Sequence, residues 1–222
     1  MTDSSYDNIN SMEVYMKQVR CRCDAMVDID VPDKINLDSD ASFLSLLADG
    51  KSLSAVCPRC GALVRAELPL HLSSASRGID AIVLPEPDRL SVYRGKVDAP
   101  GTSEILLGYQ ELFERARTLR DGLDPRVVEA LKYFLQSKAD EAEPEADTSV
   151  LYNGTMDGAL EFHILGLKSG QTGVVKLPRS SYDKVEADMK TGIQKEPFKT
   201  LFSGRYHSIR KLGFMDSAAG QD

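Results

Sequence analysis

All four cysteines of the chain fall into two close pairs, Cys21-x-Cys23 and Cys57-x-x-Cys60. Thiolates spaced in this way are suited to three kinds of chemistry. A tetrahedral Zn2+ takes four of them at ~2.3 Å in closed structural sites. An iron–sulfur cluster also takes four. A CPxC stretch can carry out thiol–disulfide exchange when its first cysteine caps a helix that depresses its pKa. For both sulfurs of a pair to face one ion, the chain must turn back in a tight knuckle. Pro58 and Gly61 suit such a turn in the second pair. Period-two alternation follows Gly61 (Ala62, Val64, Ala66 and Leu68 against Leu63, Arg65 and Glu67), which predicts a strand and not the helix that redox catalysis needs. Cys21, Cys23, Cys57 and Cys60 are therefore expected to hold one structural Zn2+, with an iron–sulfur cluster left open.

The histidines add little to this set. His71, within Leu70-His71-Leu72, is expected as an ordinary polar residue beside a strand end and not as a fifth ligand. His163 should face solvent, and His207 should lie on a basic surface with no partner. There is no HExxH, G-x-S-x-G, P-loop or G-x-G-x-x-G, so the chain is expected not to be an enzyme.

The elements that position the cysteines can be read in outline. Residues 12 to 20 form a first strand ending at the first knuckle. Beyond it Ala25, Val27, Ile29 and Val31 alternate with Met26, Asp28 and Asp30, a half-buried strand stopped by Pro32. Asp38-Ser39-Asp40 offers caps for a short helix carrying Phe43, Leu44 and Leu47, with Gly50 at its end. Ile79 to Leu84 reads as a buried strand. Ile105, Tyr109, Leu112, Phe113, Ala116 and Leu119 form a helix stripe closed by Gly122. Asp124 and Pro125 then start a second helix, with Leu123 stapled onto Val128. So short a turn predicts that the two helices pack as a hairpin. After an acidic run, Leu160, Phe162 and Ile164 begin a β-hairpin that closes through Lys168–Gly173 onto Val174–Leu177. A helix carrying Tyr182, Val185 and Met189 follows.

The fold class predicted is α+β: an N-terminal antiparallel β unit of zinc-ribbon type, a helical hairpin and a small C-terminal α+β unit. The corresponding segments are 12–100, 101–138 and 148–215, with an acidic linker at 139–147. A chain of 222 residues with 42% apolar residues can bury a sizeable core. Its net charge of −7 excludes a coat that neutralises duplex phosphates over its whole surface. The stretch from Thr191 to Met215 is locally basic, with Lys195, Lys199, Arg205, Arg210 and Lys211 against Glu196 alone. Met1 to Asn10 shows no basic n-region or apolar run, and no stretch approaches the ~20 residues of a membrane span. A cytoplasmic chain is expected, with its thiols kept reduced.

The two cysteine motifs, Cys21-Arg22-Cys23 and Cys57-Pro58-Arg59-Cys60-Gly61, resemble those of the bacterial CpXC family. Softer similarities are Asp121-Gly122-Leu123-Asp124 through Lys132-Tyr133, and Leu177 to Tyr182. One departure is Asp24, where many members have glycine. The resemblance implies a fold and a metal but no substrate. The expected function is a non-enzymatic zinc protein that presents surfaces to another protein. The alternative is a nucleic-acid-associated ribbon factor, for which Arg22, Arg59, Arg65 and the tail around Tyr206 would speak.

Overall fold

A computed structural model describes residues 14–39, 41–97, 101–192 and 195–212, and it is α+β. The candidate cap Asp40 and the last part of the basic tail, Gly213 to Met215, lie outside the described residues, as do Met1 to Asn10.

The first two strands, β1 (Val14–Arg20) and β2 (Met26–Pro32), pair antiparallel around the first knuckle. Along β2 the predicted alternation is present: Val27, Ile29 and Val31 are buried while Met26, Asp28 and Asp30 are exposed. β3 (Lys34–Asn36) and helix α1 (Ala41–Ala48) follow. A second antiparallel hairpin, β4 (Ser54–Val56) with β5 (Leu63–Arg65), carries the second knuckle. Its strands are only three residues long, too short to be stable alone in water.

The antiparallel ribbon is confined to these two hairpins. β3 and three later strands build a mixed four-stranded sheet that the alternation alone did not predict, and its last strand comes from the segment assigned to the helical hairpin. Its order is β3-β6-β7-β8, with β6 (Leu70–Ser74), β7 (Ile79–Leu84) and β8 (Glu104–Leu107). β6 and β7 are antiparallel, whereas β3 with β6 and β7 with β8 are parallel. Ile105 is therefore a strand residue and not the start of a helix stripe. Ile105-Leu106-Leu107 is a continuous apolar run buried on both faces, which periodicity cannot separate from a buried helix segment. Asp38 ties the loop after β3 to this sheet by accepting bonds from the hydroxyls of Ser74 and Ser76, both at 2.6 Å.

Between β7 and β8 lies the short helix α2 (Arg89–Tyr93), and after β8 comes α3 (Gly108–Arg120). Tyr109, Leu112, Phe113 and Ala116 of α3 pack into a first core with Leu44 and Leu47 of α1, Val27 and Ile29 of β2, and Leu72 and Val83 of the sheet. Helix α4 (Pro125–Ala142) is capped as expected: the Asp124 carboxylate accepts from the Arg126 amide at 2.8 Å. Leu123 and Val128 share one core. That core is a second one, built with β9 (Ser149–Met156), β10 (Ala159–Leu165), β11 (Gly173–Pro178), α5 (Arg179–Gly192) and α6 (Phe198–Leu201). The three strands form an antiparallel sheet in the order β11-β10-β9. The acidic run expected as linker 139–147 is helical through Ala142.

The two helices of the expected hairpin thus turn their apolar faces to different cores. What passes between them is polar. Lys132 of α4 is buried and donates to Glu114 of α3 at 2.9 Å and to Glu129 at 2.6 Å. Glu114 also accepts from the Tyr152 amide at 2.6 Å. A second, partly buried group lies nearby: Arg89 donates to Glu86 at 2.6 Å and to Glu111 at 3.0 Å, and Tyr206 donates to Glu111 at 2.7 Å. Tyr206 belongs to the tail, which returns to β8: the Ile105 amide donates to the Arg205 carbonyl at 2.8 Å, and Ile105 and Tyr206 form an isolated parallel bridge.

Candidate metal centre

Each knuckle is the turn of an antiparallel hairpin, and the two turns close alike. In the first, the Cys21 amide donates to the Ala25 carbonyl and the Asp24 amide to the Cys21 carbonyl, both at 2.8 Å. In the second, the Cys57 amide donates to Ala62 at 2.8 Å and the Gly61 amide to Cys57 at 2.9 Å. Asp24 and Gly61 thus occupy equivalent positions, and both have left-handed backbone, with φ of 65° and 70°. This is the physical content of the departure at Asp24: the conformation favours glycine, but aspartate is among the residues that tolerate it best.

The four sulfurs meet. Cys21 Sγ and Cys60 Sγ are 3.6 Å apart, as are Cys23 Sγ and Cys57 Sγ. All four lie within 4.8 Å of one another. Four thiolates at ~2.3 Å from a tetrahedral ion would be ~3.8 Å apart, so these residues fit such an ion. The cysteines are free thiols, and 3.6 Å is far beyond the ~2.0 Å of a disulfide. Cys21 and Cys57 are buried in the first core, Cys23 is half-buried and Cys60 is exposed.

The electrostatics of the set are uneven. The amide of Cys60, helped by that of Arg59, pulls the Cys57 thiol down to about 6 against the opposing effect of burial. At Cys21 the amide of Cys23 acts the same way, but burial and the three neighbouring thiols outweigh it and push the thiol up to about 11. Four thiols this close cannot all ionise without a cation among them, which is why metal binding at such sites releases protons.

Arg59 closes the arrangement, a role the sequence did not disclose. Its guanidinium donates to the Cys23 carbonyl at 2.8 Å, joining the second knuckle to the first. Arg65 is likewise engaged, donating to the Gly50 carbonyl and lying 5.0 Å from the Phe113 ring centroid. Internal contacts thus engage two of the arginines that could have met nucleic acid. The tail is similar: Arg205 donates to Ser103 O at 2.7 Å, Arg210 lies 3.6 Å from Glu86, and Lys211 donates to the Ser203 carbonyl at 2.9 Å.

The histidines stand apart from the sulfurs. His71 is the second residue of β6, beside the strand's first residue, and is hydrogen-bonded to Asp80 at 2.6 Å. His163 is half-buried and bonded to Glu161 at 2.9 Å. His207, expected on a basic surface without a partner, is half-buried 3.6 Å from Glu104 and 3.0 Å from the Gly204 carbonyl. The partner Glu104 lies about a hundred residues earlier, so no local pattern could disclose it. Among the described residues no helix is long and apolar enough to cross a membrane.

No solved structure matches the chain. A protein of Treponema pallidum (strain Nichols), described as uncharacterized, is 28% identical over 216 residues, spanning 89% of this chain and 98% of that protein. That similarity extends through the second core as well as the first. Residues 19–132, which contain both knuckles, the mixed sheet, α3 and the first part of α4, match the family described as CpXC protein. The paired knuckles and the helix that packs behind them are thus features of a known family, and this chain belongs to the CpXC family.

Proposed function

We propose that Cys21, Cys23, Cys57 and Cys60 hold one Zn2+ as a structural staple in a non-enzymatic, cytoplasmic module that presents its surfaces to a protein partner. The observation that carries the zinc reading is the convergence of all four sulfurs within 4.8 Å from two separate hairpins. A closed thiolate shell leaves no position for substrate, as in structural and unlike catalytic zinc sites. The hairpin β4–β5 is too short to hold itself, and a shared ion would supply the missing cross-link.

The nucleic-acid alternative loses support because Arg59, Arg65, Arg205, Arg210 and Lys211 are engaged within the chain. The test is metal analysis of the reduced, purified chain, with about one zinc per chain expected and no visible absorption of an iron–sulfur cluster. Strong chelation should unfold the two hairpins. A chain that stays fully folded and cysteine-reactive after complete metal removal would overturn the reading. Affinity capture with and without nuclease then separates protein partners from nucleic-acid ones.

A further inference from the structure

We infer that the cysteine centre is also a site of oxidative modification, in which a hydroperoxide converts it to disulfides joining one knuckle to the other. The regulation belongs to the metal site proposed above, and only its metal-release arm rests on that reading. Three observations combine. Cys60 is the exposed member of the set, whereas Cys21 and Cys57 are buried. The sulfurs at 3.6 Å pair across the knuckles, Cys21 with Cys60 and Cys23 with Cys57. Within each knuckle, backbone hydrogen bonds from Asp24 to Cys21 and from Gly61 to Cys57 fix the turn, so a bond inside a knuckle would have to reshape it.

The chemistry is a two-electron oxidation. The Cys60 thiolate attacks the outer oxygen of the hydroperoxide, the O–O bond breaks, and with one proton taken up the products are a Cys60 sulfenic acid and an alcohol (water for hydrogen peroxide). The Cys21 thiolate then attacks the Cys60 sulfur and expels hydroxide, which takes a second proton to become water. Two thiolates are oxidised, one hydroperoxide is reduced, and the cation loses two of its four ligands. A second equivalent joins Cys23 to Cys57 in the same way.

The structural outcome differs from simple metal loss. The ion and the cross-knuckle disulfides tie together the same two hairpins. Oxidation therefore exchanges one staple for another and leaves the ribbon folded without metal, whereas chelation under reducing conditions leaves it untied.

The test uses the full chain as purified, treated with one equivalent of hydrogen peroxide in the presence of a zinc indicator, then alkylated and mapped without reduction by mass spectrometry. Expected are the loss of two of four titratable thiols, release of about one zinc per chain, and a Cys21–Cys60 linked peptide as the main product. A second arm oxidises the purified chain with diamide, without first removing any metal, and the same cross-knuckle pairs are expected. If the purified chain carries no zinc, the metal reading fails while the second arm still decides the pairing. A principal product linking Cys57 to Cys60 or Cys21 to Cys23 overturns the inference, as does retention of zinc after two thiols are consumed. The Cys21→Ser chain provides a residue-specific check: Cys60 should stop at a sulfenic acid trapped by dimedone, and capture of Cys60 by Cys57 instead would count against the assignment.

Discussion

Arg59 Nη1 donates to the carbonyl of Cys23 at 2.8 Å, so the two knuckles are joined by protein as well as through any shared ion. Second-layer contacts of this kind orient ligands, and their loss typically weakens metal binding by 10- to 100-fold. Because Arg59 is exposed, the lower end applies. Arg59→Ala is expected to weaken zinc retention about tenfold in competition with a chromophoric chelator. Unchanged affinity would show that the ligands position themselves.

Asp24 and Gly61 share a left-handed backbone, yet only one is glycine. Asp24→Gly should therefore raise the thermal midpoint of the zinc-loaded chain by relieving up to about 1 kcal/mol of strain. Losing the Asp24 contact to Arg20, an exposed pair at 4.0 Å, should cost little. Asp24→Val should lower the midpoint. Scans at a fixed excess of zinc check both, because bound ligand itself shifts the midpoint.

Lys132 is buried between Glu114 and Glu129. Burial would lower its pKa, but the two carboxylates outweigh that and hold it charged, well above the usual lysine range. Lys132→Ala should destabilise the chain by about 3–5 kcal/mol in urea unfolding, because it leaves buried carboxylates without a counter-charge. The double variant Lys132→Met with Glu114→Gln should recover part of that loss. No recovery would mean that the cost comes from packing and not from charge.

Burial alone would raise the Glu104 carboxyl, but two bonds from Arg115, at 2.5 and 2.7 Å, together with His207 hold it down at about 2. A folded-state pKa below the unfolded one contributes stability above the ordinary carboxylate pKa, and that stability is lost as pH falls toward the folded value. The urea midpoint should therefore fall between about pH 5 and pH 3, with a share on the order of 2 kcal/mol from this group. Glu104→Gln should flatten that decline, and an unchanged slope would remove Glu104 as its source.

The cysteine cluster was legible because knuckle chemistry is local: residue type and spacing define a knuckle wherever the rest of the chain goes. The strand at Val27, Ile29 and Val31 was legible for a similar reason, since one face is buried and the other wet. Ile105-Leu106-Leu107 was misread because it is covered on both sides and shows no alternation. β9 went unseen because Gly154 interrupts the pattern of Val150 and Tyr152, opposite a register shift between Glu161 and Phe162. The polar seam is non-local: Glu114 meets Lys132 and the Tyr152 amide, and Glu104 meets His207. Only folding brings those charges together, so no window of sequence contains them.

The bridge between Ile105 and Tyr206 has a consequence for synthesis. β8 is the outer strand of the mixed sheet and gains its cover from residues made about a hundred positions later. As the chain emerges from the ribosome, the cysteine hairpins and α3 can assemble while the rim of β8 remains bare. A bare apolar strand rim is a template for pairing with other chains. The returning tail is thus the element that ends the nascent chain's exposure to its neighbours. A chain stopped before Arg205 should be prone to association even with its four cysteines intact.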